Sequence, residues 1–323
     1  MLPDKKICVV GAGNWGRNHI RTLHALDRLG GIIEPKKELH KEVKEQYPQT
    51  EIYESLSAAM GGGFDGFIIA TPAETHFEIG IKLIENNFPL LIEKPLTLTL
   101  RDAEKLINKA GEKNVNVMVG HLLLFHPAIK KIKTLIQAGK IGKLQYIYSN
   151  RLNLGTIRVH ENVFWSFAPH DISILNYFTN SLPEKIDTFG GAFIHPPNHD
   201  TTITYLEYPE NIKTHIFVSW LHPFKEHRIV LIGSKGMISF EDSSKNKDIL
   251  FYEKGVDWAG GVPVAKSGPT EKIYYEPKMP LEEEIKYFIE NMDKSFTISN
   301  GTSGLEVVKI LEAASASLNK HNI

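Results

Sequence analysis

Apolar positions along the chain follow two rhythms. Through about the first 120 residues, short apolar runs at 7–10, 31–33, 66–70, 90–92 and 115–119 alternate with longer mixed stretches. In one of these, 74–86, Phe77, Ile81 and Ile84 recur at helical spacing. Further helices are predicted over 36–46, which is charged and solvent-facing, and over 99–113, with Thr99 or Arg101-Asp102 near its start. Short strands alternating with helices make a doubly wound parallel sheet. Past Gly120 a connecting helix is predicted over 127–137, ending at Gly139. Alternating, β-branched and aromatic-rich segments follow at 144–152, 201–208, 214–220, 228–232 and 237–240, with turns at 208–211 and 233–236. A helix over 169–178 and two terminal helices over 281–292 and 302–318 complete the reading, while 243–277 has little periodicity.

The expected fold is therefore α/β: an N-terminal doubly wound domain over 1–121, then an α/β domain with a large, mostly antiparallel sheet over 122–323. The terminal helices are free to return to the first domain. So large a sheet has two faces to cover. The terminal helices are expected to cover one, and a second copy of the chain is the expected cover for the other, with Ile203, Tyr205, Phe217 and Ile229 as candidate contacts. A homodimer or homotetramer is expected.

The first apolar run ends in Gly11, Gly13 and Gly16, within V-G-A-G-N-W-G, and passes into a helical stretch. This is G-x-G-x-x-G between strand and helix. Gly11 permits the tight turn, Gly13 lets backbone approach a pyrophosphate, and Gly16 allows close helix–strand packing. Asn14 and Trp15 complete the loop, and the helix N-terminus offers N–H groups to the phosphates. The second apolar run ends in Glu34, where a carboxylate accepts bonds from a ribose 2′-hydroxyl and repels a 2′-phosphate. The expected cofactor is NAD.

Composition narrows the setting. An apolar fraction of 42% with 23% charged residues fits a globular domain pair, and a net charge of −1 steers the chain toward neither nucleic acid nor membrane. An anionic substrate must then meet local cations. The single cysteine, Cys8, sits inside an apolar strand, no signal peptide or membrane-length apolar run is visible, and a cytoplasmic protein is expected.

Three further clusters carry chemistry. Ala70-Thr71-Pro72, with His76 beyond, follows a strand and lies where open α/β sheets bind ligands, though it also reads as an ordinary helix start. Glu93-Lys94-Pro95 ends another strand; Lys94 either faces a nicotinamide or is a surface lysine, and Lys94-Pro95 is open to a cis bond. In Trp165-Ser166-Phe167-Ala168-Pro169-His170-Asp171, His170 is expected at a helix start, where the dipole favours the neutral form of a base; it reads equally as a cap. Asp171 would then complement the dipole. His121 is placed to line the cofactor site or to be structural. His195 and His199 lack trustworthy metal spacing, and no metal is expected.

In order, V-G-A-G-N-W-G, A-T-P-A-E-T-H, E-K-P-L-T, V-G-H-L-L-L-F-H-P, A-P-H-D-I-S-I, G-S-K-G-M and G-L-E-V-V-K-I-L-E-A-A resemble the Gfo/Idh/MocA oxidoreductases over nearly the whole chain. The resemblance implies that the domain over 1–121 is an NAD-binding Rossmann domain with a bound nicotinamide cofactor. It also implies that the lysine of E-K-P and a later helical histidine, matching Lys94 and His170, act at the reacting carbon. Which of the two is the base stays open. Two departures stand out: Ser166 where many members carry Asp, and Leu124 where many carry Arg. The segments 153–173 and 219–228 resemble, more narrowly, the dehydrogenases that oxidise C3 of UDP-N-acetylglucosaminuronic acid, which supply sugars for bacterial surface polysaccharides. Such a nucleotide-sugar substrate needs local cations, so the resemblance adds Arg158 and Lys225 to Trp165, Asp171, His170 and Lys94 as substrate contacts.

Overall fold

A computed structural model describes residues 2–159 and 161–321. The chain divides into two compact units, 1–125 with 278–309 and 126–277 with 310–323.

The first unit is built on a six-stranded sheet. In chain order its strands are β1 (Ile7–Val10), β2 (Leu29–Ile33), β3 (Glu51–Tyr53), β4 (Gly66–Ile69), β5 (Leu90–Glu93) and β6 (Val117–Gly120), and they lie in the order β3-β2-β1-β4-β5-β6. Every pairing is parallel. This is the strand order of a dinucleotide-binding sheet, with its switch point at β1 and β4. β1, β4, β5 and β6 are buried along their whole length, which is why they read as solid apolar runs. Helices α1 (Gly16–Ala25), α2 (Lys37–Gln46), α3 (Leu56–Ala59), α4 (His76–Glu85) and α5 (Leu100–Lys113) connect them. Thr99 caps α5 by accepting from the Asp102 N–H at 3.1 Å. Strand β3 escapes sequence reading because three residues, one exposed and two half-exposed, have no pattern.

The second unit starts with α6 (Pro127–Gln137) and contains β7 (Leu144–Leu152), α7 (Val163–Thr179), β8 (Lys185–Gly191), β9 (Thr201–Tyr208), β10 (Ile212–Ser219), β11 (Glu226–Gly233), β12 (Met237–Glu241), β13 (Ile249–Ala259) and β14 (Val262–Ile273). The eight strands lie in the order β14-β13-β12-β11-β7-β10-β9-β8, antiparallel throughout except β7 against β10. Helix α7 covers one face, packing on β7, β9 and β10. Helix α8 (Pro280–Asn291) belongs to the first unit, and α9 (Gly301–His321) runs from the first unit into the second.

Three expectations are corrected. Helix α7 begins at Val163, with Asn162 accepting from the Trp165 N–H at 3.0 Å as its cap. Pro169 lies inside it, so His170 stands two turns into the helix, the dipole at the N-terminus does not act on it, and Asp171 is not in the first turn. A proline at the first helical position and one tolerated within a helix look alike in sequence. Ile229 faces the α7 side and is buried, whereas Ile203, Tyr205 and Phe217 sit on the opposite face, Ile203 directly across from Phe217. The segment without periodicity, 243–277, holds the long hairpin of β13 and β14, whose distal residues are exposed on both faces and so leave no alternation. Strand β8 was likewise not legible.

Candidate active site

In the first unit the glycine loop closes tightly. Gly11 has φ +97 and donates its N–H to the Ile33 carbonyl at 2.8 Å, a backbone conformation that favours glycine. A Cβ on Gly16 would fall 2.0 Å from the Gly11 carbonyl oxygen, so only glycine lets α1 start this close to the loop. Nothing lies within 4 Å of a Cβ built on Gly13. The loop is thus closed behind and open in front, which fits a pyrophosphate held by backbone N–H groups. Asn14 and Trp15 form its exposed lip. Glu34, at the end of β2, is buried; one carboxylate oxygen accepts the Ala12 N–H at 2.8 Å and the other the Lys36 N–H at 3.0 Å. It therefore stands at the loop, where a ribose would lie.

The ends of β4 and β5 are clasped by His76. It is buried, and its ring nitrogens lie 2.9 Å from the Pro95 carbonyl and 3.0 Å from the Thr71 carbonyl. Burial lowers its pKa against the pull of those carbonyls. Thr71 and Pro72 lead into the 3-10 turn Ala73–Thr75, and the Lys94-Pro95 bond is cis.

Glu93 is a hub. Its buried carboxylate meets the His19 Nε2 at 2.7 Å, the Trp15 indole N–H and the Lys94 backbone N–H at 3.2 Å. Burial pushes its pKa up, but the His19 and Trp15 contacts and the Lys94 charge outweigh that and hold it below the usual carboxylate range. Gly120, on the neighbouring strand β6, makes room: a Cβ there would fall 2.9 Å from a Glu93 carboxylate oxygen. His121 follows, 1% exposed, with neither ring nitrogen hydrogen-bonded; burial drives its pKa down to about 4 and keeps it neutral.

In the second unit, His170 is half-buried on α7 and next to it Asp171 is 1% exposed. Both Asp171 oxygens are committed: the Arg151 guanidinium donates to them at 2.8 and 3.1 Å, and the Ser149 hydroxyl donates at 2.6 Å. Arg151 and Ser149 project from β7 toward α7. His227 on β11 stands directly opposite Arg151, and burial, with the Arg151 and Lys225 charges, drives its pKa down to about 4. Lys225 is exposed at the entry to β11. Trp165 donates its indole N–H to the Ser315 hydroxyl at 2.9 Å. Arg158 lies in the loop before α7, exposed, with Glu161 at 2.8 Å; His160, in the same segment, is outside the described residues.

The first unit thus gathers Gly11, Gly13, Gly16, Glu34, Trp15, Thr71, His76, Glu93 and Lys94 at the carboxyl ends of β1, β2, β4 and β5. The second gathers His170, Asp171 and Arg151. Sequence reasoning missed His19, Arg151's role and His227. His19 had one usable signal, a position one turn after Trp15 on the buried side of α1. Among the described residues no helix is long and apolar enough to cross a membrane.

Residues 5–121 match the family model described as oxidoreductase family, NAD-binding Rossmann fold, and residues 129–239 match the Gfo/Idh/MocA C-terminal domain. The UDP-N-acetylglucosamine 3-dehydrogenase of Acidithiobacillus ferrooxidans is 25% identical over 87% of this chain and 86% of its own. Its solved structure superposes with a TM-score of 0.84 over 98% of each chain, at 23% identity. The NAD(+)-dependent scyllo-inositol 2-dehydrogenase of Bacillus subtilis is 29% identical over 54% of this chain and 55% of its own. An inositol dehydrogenase homologue from Azotobacter vinelandii, solved with NADH and myo-inositol, gives a TM-score of 0.84 at 17% identity, over 99% of this chain and 97% of its own. With both halves of the chain matched, the protein belongs to the Gfo/Idh/MocA family of NAD-binding oxidoreductases.

Proposed function

We propose that this dehydrogenase oxidises the 3-hydroxyl of a UDP-linked N-acetyl sugar, in particular UDP-N-acetylglucosaminuronic acid, on the way to surface-polysaccharide sugars. The observation that carries the reading is the likeness, over 87% of the chain, to a relative named for 3-dehydrogenation of UDP-N-acetylglucosamine. The cations of the second unit support it: Arg158 and Lys225 are exposed charges of the kind a diphosphate and a carboxylate require.

When bound, the nicotinamide supplies the hydride acceptor. The chain's residues handle binding, charge and the proton. Backbone N–H groups at 11–16 hold the pyrophosphate, and Glu34 accepts from the ribose. His170 takes the hydroxyl proton, and Lys94, held at its backbone by Glu93, stabilises the oxygen as negative charge develops. The Arg151–Asp171 pair fixes the turn of α7 that carries His170. Pairing of two copies through the open sheet face of Ile203, Tyr205 and Phe217 completes the reading; a strictly monomeric species by light scattering refutes that part.

A second reading is oxidation of inositol or a free sugar, favoured by the likeness to the B. subtilis scyllo-inositol enzyme. NADH formation with UDP-linked sugars against free sugars and inositols separates the two. Turnover of the UDP-linked uronic acid alone is the expected result, and turnover of inositol alone overturns the proposal.

A further inference from the structure

Glu284 is a carboxylate placed where a carboxylate is costly. It is 0% exposed on α8, and neither oxygen has a hydrogen-bond partner. Its helix packs against α1 and against the 3-10 turn Leu122–Phe125. The first of these carries His19, and the second directly follows His121. His19 Nδ1 and both His121 nitrogens are also buried without a partner, while His19 Nε2 contacts Glu93. The Glu93 charge acts on both Glu284 and His121. Four titratable side chains thus share one buried polar patch behind the strand end that bears Lys94. An ionised carboxylate with no cation or donor at either oxygen is far more costly to bury than its neutral acid.

We propose that Glu284 is a positioning residue of the NAD site: as an uncharged acid it leaves Glu93 the single negative charge of the patch, so that Glu93 holds the Trp15 indole, His19 and the Lys94 amide in the arrangement that receives the cofactor. The inference rests on the family's NAD-binding loop and is independent of the sugar assignment. Burial raises the Glu284 pKa well above the usual carboxylate range, and the Glu93 charge adds to the shift. His121 is neutral, and Lys94 acts on Glu93 and His121. On its own helix Lys286 is paired with Glu282 at 2.5 Å, and Glu283 is half-exposed. Once Glu284 ionises, two like charges compete inside one patch, and the hold on Trp15 loosens.

Between the ordinary carboxylate pKa and the raised folded value, the unfolded chain has lost this proton and the folded chain keeps it. Stability therefore falls as pH rises, by about tenfold in the unfolding equilibrium constant per pH unit. Glu284→Gln keeps the shape and cannot ionise.

The test compares the wild-type chain with Glu284→Gln and Glu284→Met, without cofactor, by urea unfolding from about pH 5 to about pH 9, and measures NAD affinity by calorimetry over the same range. Expected is a wild-type unfolding constant that climbs relative to Glu284→Gln by about tenfold per pH unit until Glu284 ionises. Also expected is wild-type NAD affinity that weakens on the alkaline side where Glu284→Gln stays flat. Parallel stability curves overturn the proposal. So does NAD affinity with the same pH dependence in both chains. If both variants are less stable than wild type at every pH, Glu284 makes a stabilising contact as an anion and the proposal fails.

Discussion

Asp171→Asn separates scaffold from substrate contact. In the structure Asp171 is 1% exposed and its two oxygens are taken by Arg151, at 2.8 and 3.1 Å, and by Ser149, at 2.6 Å. The asparagine keeps the volume, removes the charge and leaves a buried guanidinium unpaired. Breaking a buried pair from one side costs about 3–5 kcal/mol. With a urea slope of about 2 kcal/mol/M, the unfolding midpoint of the second unit falls by about 1.5–2.5 M. Replacing both partners by apolar groups, Asp171→Leu with Arg151→Met, recovers much of the loss, because no charge is then stranded. Because α7 carries His170 on the next residue, turnover falls in Asp171→Asn while the affinity for substrate changes little. The assay is urea unfolding followed by tryptophan fluorescence, Trp165 and Trp220 both lying in this unit, together with steady-state kinetics. A midpoint unchanged in Asp171→Asn, with a large rise in KM, would falsify the reasoning and make Asp171 a substrate contact.

Three shorter predictions follow from the same geometry. Glu34, held at the loop by the Ala12 and Lys36 amides, disfavours a 2′-phosphate, so NAD binds at least about tenfold more tightly than NADP, or ~1.4 kcal/mol; equal affinities in a titration would remove Glu34 from that role. Lys94→Met lowers turnover by about two to three orders of magnitude with little change in NAD affinity, and His170→Asn removes an ionisation from the acid limb of the pH–rate profile. Near-normal turnover in Lys94→Met contradicts the mechanism. His121 titrates at about 4 in the fold against 6.5 ordinarily, so the unfolded chain binds its proton first. Its contribution is complete above about pH 6.5 and lost as pH falls toward 4, a change of about 3 kcal/mol. Acid unfolding curves of His121→Leu that keep the full wild-type slope over this window contradict it.

The fold was legible where burial is two-sided or alternates cleanly. Strands β1, β4 and β5 read as solid apolar runs because both faces are covered, and β7, β9 and β10 read as alternations because one face meets α7. The hairpin of β13 and β14 did not, since residues exposed on both faces carry no periodicity. The start of α7 was hidden by Pro169, which imitates a first-turn proline. Within the site, the glycine loop and Glu34 are legible because a tight strand–helix turn demands glycine at fixed spacing and the acid ends the next strand. The supporting groups do not. His19 and Arg151 act through partners 20 or more positions away in sequence, His19 with Glu93 and Arg151 with Asp171, and Glu284 is buried without one. A single chain offers one weak sign of them: Glu284 interrupts an apolar stripe of Leu281, Ile285 and Phe288, where an acid is out of place.

The most direct test of the account uses UDP-N-acetylglucosaminuronic acid carrying deuterium at C3, incubated with the protein and NAD. Mass spectrometry of the recovered cofactor reads where the hydride came from. The account predicts deuterium on the reduced nicotinamide and a 3-keto sugar as product. Deuterium retained on a sugar oxidised elsewhere, or no reduction of NAD while a free inositol is oxidised under the same conditions, contradicts it.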